Sequence, residues 1–198
     1  MAEPSATARR AVGTAGLLAL AVALAPPLHA AADRSLVAHM VQHVLLLTVV
    51  PPLLVVGCSL APSPRRAVLA AAVVVHVSAM FVWHVPVLYD RAVASEPVHV
   101  AEHLSLLAAG MVLWWAIGIG RAAVTGASVL ALFSVALACT ALGFALTLAS
   151  HSWYATYPSL ADQQLAGVVM WGVAGGIYAL AGGGLVASWV ATDEGAPA

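Results

Sequence analysis

Two histidine pairs carry the chemistry that this sequence offers. His39 and His43 are four residues apart, as are His99 and His103, with Glu102 beside the second pair. On a helix, a spacing of four puts both side chains on one face, in reach of a common ion. Met80 and His84 share that spacing. Neutral imidazole binds copper, zinc or iron, and a thioether biases a site toward Cu(I). Glu102 can act as a further ligand or as the acceptor that fixes a histidine tautomer.

Other residues of the same types have more ordinary readings. His29 and His151 read as interfacial anchors or helix caps, and His76 as a buried hydrogen-bonding residue. Met40, Met80, Met111 and Met170 read as packing, since methionine fills gaps in apolar interiors. The run from His99 to His103 also fits H-x-x-E-H, in which two histidines bind zinc and the glutamate activates water. That reaction needs a third protein ligand and a water-filled cleft. Paired histidines on facing helices can equally ligate haem.

These groups sit in an apolar chain. It is 63% hydrophobic and 8% charged, with mean hydropathy +1.00 and no lysine, whereas a soluble domain carries about 25% charged residues. The class is a polytopic transmembrane all-α bundle. Its 198 residues suit six spans of about 20 residues each. A net charge of -1 gives no basic surface for nucleic acid. Cys58 and Cys139 have no paired spacing, so neither a disulfide framework nor a cysteine-rich metal site is readable.

The elements that must position the histidines follow from the apolar runs. Residues 1–10 read as a short cytoplasmic tail, 11–190 as one transmembrane domain and 191–198 as a polar tail. The first apolar segment, 11–28, reads as a retained helix, with a cleavable signal peptide as the alternative. Further spans are expected at about 35–56, with Pro51 and Pro52 kinking its end, then at 67–84, 97–118, 122–150 and 163–190. A turn holding Pro62 and Pro64 follows the second span. Residues 86–91, with Tyr89, Asp90 and Arg91, read as a polar turn, and Asp162 as an N-cap. Trp83 at one membrane face and Trp114–Trp115 at the other suit interfacial belts. Gly172 and Gly176, with the four-residue series Gly175, Ala179, Gly183 and Ala187, suit close helix contact within the chain, a homodimer interface being the alternative.

Orientation follows from the arginines. A cytoplasmic N-terminus places Arg9, Arg10, Arg65, Arg66 and Arg121 inside and only Arg34 and Arg91 outside, in keeping with the positive-inside rule. Every histidine except His76 then lies near the extracytoplasmic face.

The ordered motifs complete the reading: His39-Met40-Val41-Gln42-His43; Pro51-Pro52-Leu53-Leu54 with Gly57; Trp83-His84-Val85-Pro86 with Tyr89; His99 to His103 with Trp114-Trp115; and Asp162 to Gly167 with Met170-Trp171. Together, over residues 35–171, they resemble the CtaG family of multi-spanning cytochrome c oxidase assembly factors. Val50 departs from the pattern, standing where the family commonly has alanine. The resemblance implies a non-enzymatic protein of the bacterial plasma membrane that helps mature a haem-copper oxidase, with oxidase subunits as partners and copper as its metal. On that expectation His39, His43, His99 and His103 are the main copper ligands and His84 a further one. Glu102 and Asp162 orient ligands or take up protons, and Met80 favours the reduced ion. A haem-binding redox protein and a metal-free scaffold for oxidase subunits are the rival readings.

Overall fold

The computed structural model describes residues 5–60, 66–118 and 126–193. The expected features at Pro62, Pro64, Arg65, Arg121 and Glu194 lie outside the described residues. The helices are α1 (Ala6–Ala23), α2 (Pro26–Ala32), α3 (Leu36–Gly57), α4 (Arg66–Trp83), α5 (Pro86–Ala94), α6 (Glu96–Ile117), α7 (Gly126–Thr147) and α8 (residues 160–193). No strand occurs among the described residues. Helices α3, α4, α6, α7 and α8 are each long and apolar enough to cross a membrane, and α1 with α2, bent by 46°, adds a sixth where the bent pair is taken as one span. The protein is therefore an all-α polytopic bundle, as expected.

Prolines account for most of the local departures. Helix α1 begins at Ala6, ahead of the expected start, because Ser5 Oγ accepts from the Ala8 amide and caps it. Where one helix was expected through residue 28, the chain breaks before Pro26. Pro27 has no N–H to give the Ala23 carbonyl, which accepts from Gln42 Nε2 at 2.8 Å instead. Thus the break between α1 and α2 is tied to α3. Pro51 and Pro52 do not end α3. The helix widens into a π turn at Leu45–Val49 and runs on to Gly57. The Leu47 carbonyl, which Pro51 cannot bond, accepts from Trp114 Nε1 at 3.2 Å. Trp114 is thereby a buried core residue, not the belt residue expected from its sequence position. A second π turn, Val169–Ala174, lies in α8.

The expected polar turn at residues 86–91 is helical. Pro86 occupies the start of α5, where its fixed φ suits a first turn and no N–H is missed. The Asp90 carboxylate then accepts from the Ala155 and Thr156 amides at 3.1 and 3.0 Å, which pins the α7–α8 loop over α5.

Two glycine contacts set the helix spacing. A Cβ at Gly110 would lie 2.6 Å from Pro51 Cγ and 3.0 Å from the Leu47 carbonyl oxygen, so only glycine lets α6 approach α3 this closely. A Cβ at Gly167 would lie 2.6 Å from the Gly143 carbonyl oxygen, which fixes α8 on α7. Of the expected small-residue series, Gly175 does face α7, where a Cβ would meet Thr140 Oγ1 at 3.5 Å, but no close contact forms at Gly172, Gly176 and Gly183. Added Cβ atoms there would meet nothing within 4 Å among the described residues, although α8 does pack on α7. Both cysteines are free.

Candidate metal centre

The N-terminal ends of α3 and α6, the end of α4, helix α5 and the α7–α8 loop meet at one end of the bundle. Asp162 builds this meeting point, though not as its own helix cap. Ser159 is the N-cap of α8, its Oγ accepting from the Asp162 amide at 3.2 Å. The Asp162 carboxylate instead closes the start of α3, accepting from the Leu36 amide at 2.6 Å and from Ser35 Oγ at 3.0 Å. Gln163 Oε1 accepts from the Trp153 amide at 2.7 Å, and Gln164 Nε2 donates to the Ala149 carbonyl at 3.1 Å. The acidic and amide side chains of one turn therefore hold both α3 and the loop.

Between these elements lies a buried polar cluster. Glu102 is fully buried, with Oε2 3.3 Å from His39 Nε2 and Oε1 3.3 Å from His43 Nε2. His99 Nε2 lies 4.0 Å from Glu102 Oε2 and 3.1 Å from His103 Nε2. The structure thus brings together His39, His43, His99, His103 and Glu102. One ligand atom from each of His39, His43, Glu102 and His103 falls within 4.8 Å of all the others. His84 stands at the edge, its ring 5.5 Å from that of His43.

Hydrogen bonds assign the histidine tautomers. The Tyr157 hydroxyl donates to the Ala32 carbonyl at 2.5 Å. With its one proton used there, it accepts from His39 Nδ1 at 3.1 Å. A neutral His39 therefore turns the lone pair of Nε2 toward Glu102 Oε2. Two acceptors facing each other at 3.3 Å repel unless a cation or a proton lies between them. His84 is fixed similarly: Nδ1 donates to the Met80 carbonyl at 2.7 Å, which leaves a lone pair on Nε2. Met80 contributes this carbonyl, and its buried thioether lines a small cavity beside His43 and His84.

Several polar atoms are left over. Among the described residues, His84 Nε2, His43 Nδ1 and Tyr89 OH have no hydrogen-bond partner, and His43 Nε2 and Glu102 Oε1 face each other without hydrogen-bond geometry. Leaving a buried polar atom unsatisfied costs about 1–3 kcal/mol. Just beyond α4, burial lowers the His84 pKa to about 3, so its ring is neutral and can donate a lone pair. Burial, reinforced by the nearby Glu102 carboxylate, raises the Tyr89 and Tyr157 pKa values, so both remain phenols. An ion bound through His39, His43, Glu102 and His103 would satisfy the facing acceptors.

Tyr89 and Tyr157 were not anticipated as parts of the site. Tyr89 is fully buried, its ring 4.8 Å from His39 and 5.9 Å from His43 and His84. Only its place in the motif with His84 and Pro86, shortly before it in the chain, hinted at this. His29, read as an anchor or cap, stacks on His99 at 5.0 Å. His76 is buried and bonds Tyr178 OH at 2.7 Å, in agreement with its ordinary reading, and His151 is exposed.

No curated protein and no solved structure matches the chain significantly. A family model described as cytochrome c oxidase caa3 assembly factor (Caa3_CtaG) matches residues 3–192, a range that takes in every helix just described but for the last residue of α8. The chain, a multi-pass helical bundle with this histidine cluster at one end, belongs to the cytochrome c oxidase caa3 assembly factor family.

Proposed function

We propose that this assembly factor binds a copper ion through His39, His43, Glu102 and His103 and passes it to a nascent oxidase subunit, without catalysing a reaction. The facing acceptors His39 Nε2 and Glu102 Oε2 carry this reading, since a cation resolves their repulsion. The spacing also suits an ion. Metal–nitrogen bonds of about 2.0–2.1 Å in a tetrahedron place neighbouring ligand atoms roughly 3.3 Å apart, the separation seen from one Glu102 oxygen to His39 and from the other to His43. Copper is favoured by the family's product and by sulfur nearby. Met40, Met80, Met170 and Cys139 line a cavity of about 10 Å³ with His43 and His84, and soft sulfur donors favour Cu(I). The arginine distribution supports an extracytoplasmic position for this end of the bundle.

The rival chemistries fit less well. Rings in the cluster pack directly on one another, with centroids 4.2 Å apart for His99 and His103 and 4.6 Å for His39 and His43, which leaves no slot for a porphyrin between them. Glu102, buried among histidines, is not placed at a cleft that would admit a peptide. The test is complementation of cells lacking this protein. His99→Ala, His103→Ala should lower the activity of the oxidase while the variant accumulates in the membrane, and added copper should restore part of it. Full oxidase activity in that strain would remove the cluster from the function.

A further inference from the structure

A second group of potential ligands lies on the solvent side of the buried cluster. His29 from α2, Glu96 from the first turn of α6 and His99 each offer an atom within 4.8 Å of the other two. His29 Nε2 is 3.9 Å from Glu96 Oε2, and the His29 ring stacks on His99. Exposure falls steadily along this line: the side chains of Glu96, His29, His99 and Glu102 are 71%, 36%, 5% and 0% accessible. A cavity of about 280 Å³ opens between α2 and α6, and its lining includes His29, Glu96, His99 and His103. The open end thus holds two ligands of the outer group, and the wall includes a ligand of the buried one.

His99 is a member of the outer group and adjoins the buried one. It touches His29 on one side and reaches His103 Nε2 at 3.1 Å on the other. Its ring is 5.0 Å from both His29 and His39. The His99 and His103 rings are 4.2 Å apart. The bend between α1 and α2 creates the arrangement, because it lays α2 against the start of α3 and so brings His29 over His99.

We propose that His29, Glu96 and His99 form an outer loading station that receives the copper ion and hands it through His99 and His103 to the buried site. This inference rests on the copper reading above. Transfer is ligand exchange with no change in oxidation state: the bonds to His29, Glu96 and finally His99 break as bonds to His103, Glu102, His39 and His43 form. A proton on a ring nitrogen that takes the ion moves to the other nitrogen of that ring. The Glu96 carboxylate supplies the negative charge that draws a cation to the mouth, and Glu102 supplies the charge that holds it inside.

The test uses the full chain in detergent and Cu(I) presented as its bicinchoninate complex, whose absorbance falls as the ion is transferred. In His29→Ala, Glu96→Gln, loading should slow by about tenfold, the low end of what charge focusing contributes to association, while copper retained at equilibrium stays at the wild-type level. Glu96→Asp in an otherwise wild-type chain should recover most of the rate. The reverse variant, His39→Ala, His43→Ala, should keep fast uptake but release the ion to excess chelator. Equal loading rates for wild type and His29→Ala, Glu96→Gln would overturn the loading station and leave the buried site standing. If wild type itself draws no copper from the complex, the copper reading fails and the station fails with it.

Discussion

Tyr157 sets the chemistry of the cluster at the scale of single residues. By donating to the Ala32 carbonyl and accepting from His39 Nδ1, it leaves His39 Nε2 as a lone pair aimed at the interior. Tyr157→Phe removes that acceptor and lets His39 change tautomer. Copper affinity should fall about 10- to 100-fold, as when outer hydrogen-bond partners of metal-binding histidines are lost, with the fold retained. A chelator competition titration reads this directly, and an unchanged affinity would show that the tautomer is set elsewhere. At this scale much of the site was legible. The i,i+4 spacing of His39 with His43 and of His99 with His103 selects faces without any tertiary knowledge. Tyr89 and Tyr157 were not legible, because a tyrosine becomes part of such a site only through contacts made by distant elements. Asp162 was misread for a related reason: as an N-cap it would serve its own helix, and only the packed structure shows it serving α3.

At the scale of elements, the close approach of α3 and α6 presents both histidine pairs to each other, and Gly110 permits it. Gly110→Ala would set a methyl group 2.6 Å from Pro51 Cγ. Overpacking of this kind costs about 1–3 kcal/mol, so the variant should unfold at lower temperature and bind copper more weakly. Gly176→Ala makes the contrast. Its Cβ enters open space among the described residues, and alanine is favoured over glycine in a helix by up to about 1 kcal/mol. Its thermal transition should match or exceed that of wild type. Equal destabilisation by both substitutions would contradict the assigned contacts. Spans were readable from hydropathy because length and apolar character alone decide them. The π turns were not. The proline pair signalled a disturbance in α3, but whether the helix kinks or widens depended on Trp114 being there to take the Leu47 carbonyl. In the same way, the small-residue series in α8 announced a helix contact, while the tight one formed one turn away from it, at Gly167 against Gly143.

Across the whole molecule, polar groups are concentrated at one end of an otherwise apolar bundle. Ionisable residues within membrane spans are costly, and they mark ion or proton pathways more often than packing. Here they run from an exposed mouth at Glu96 to a buried carboxylate at Glu102, and the family is one that assembles an oxidase. The central claim is that the buried cluster holds copper, and metal content tests it most directly. Detergent-purified wild type and His39→Ala, His43→Ala would be loaded with Cu(I) or with Zn(II), freed of unbound ion and analysed by mass spectrometry. Wild type should retain roughly stoichiometric copper and less zinc, and the variant little of either. Equal copper in the two proteins, or none in wild type, would contradict that claim.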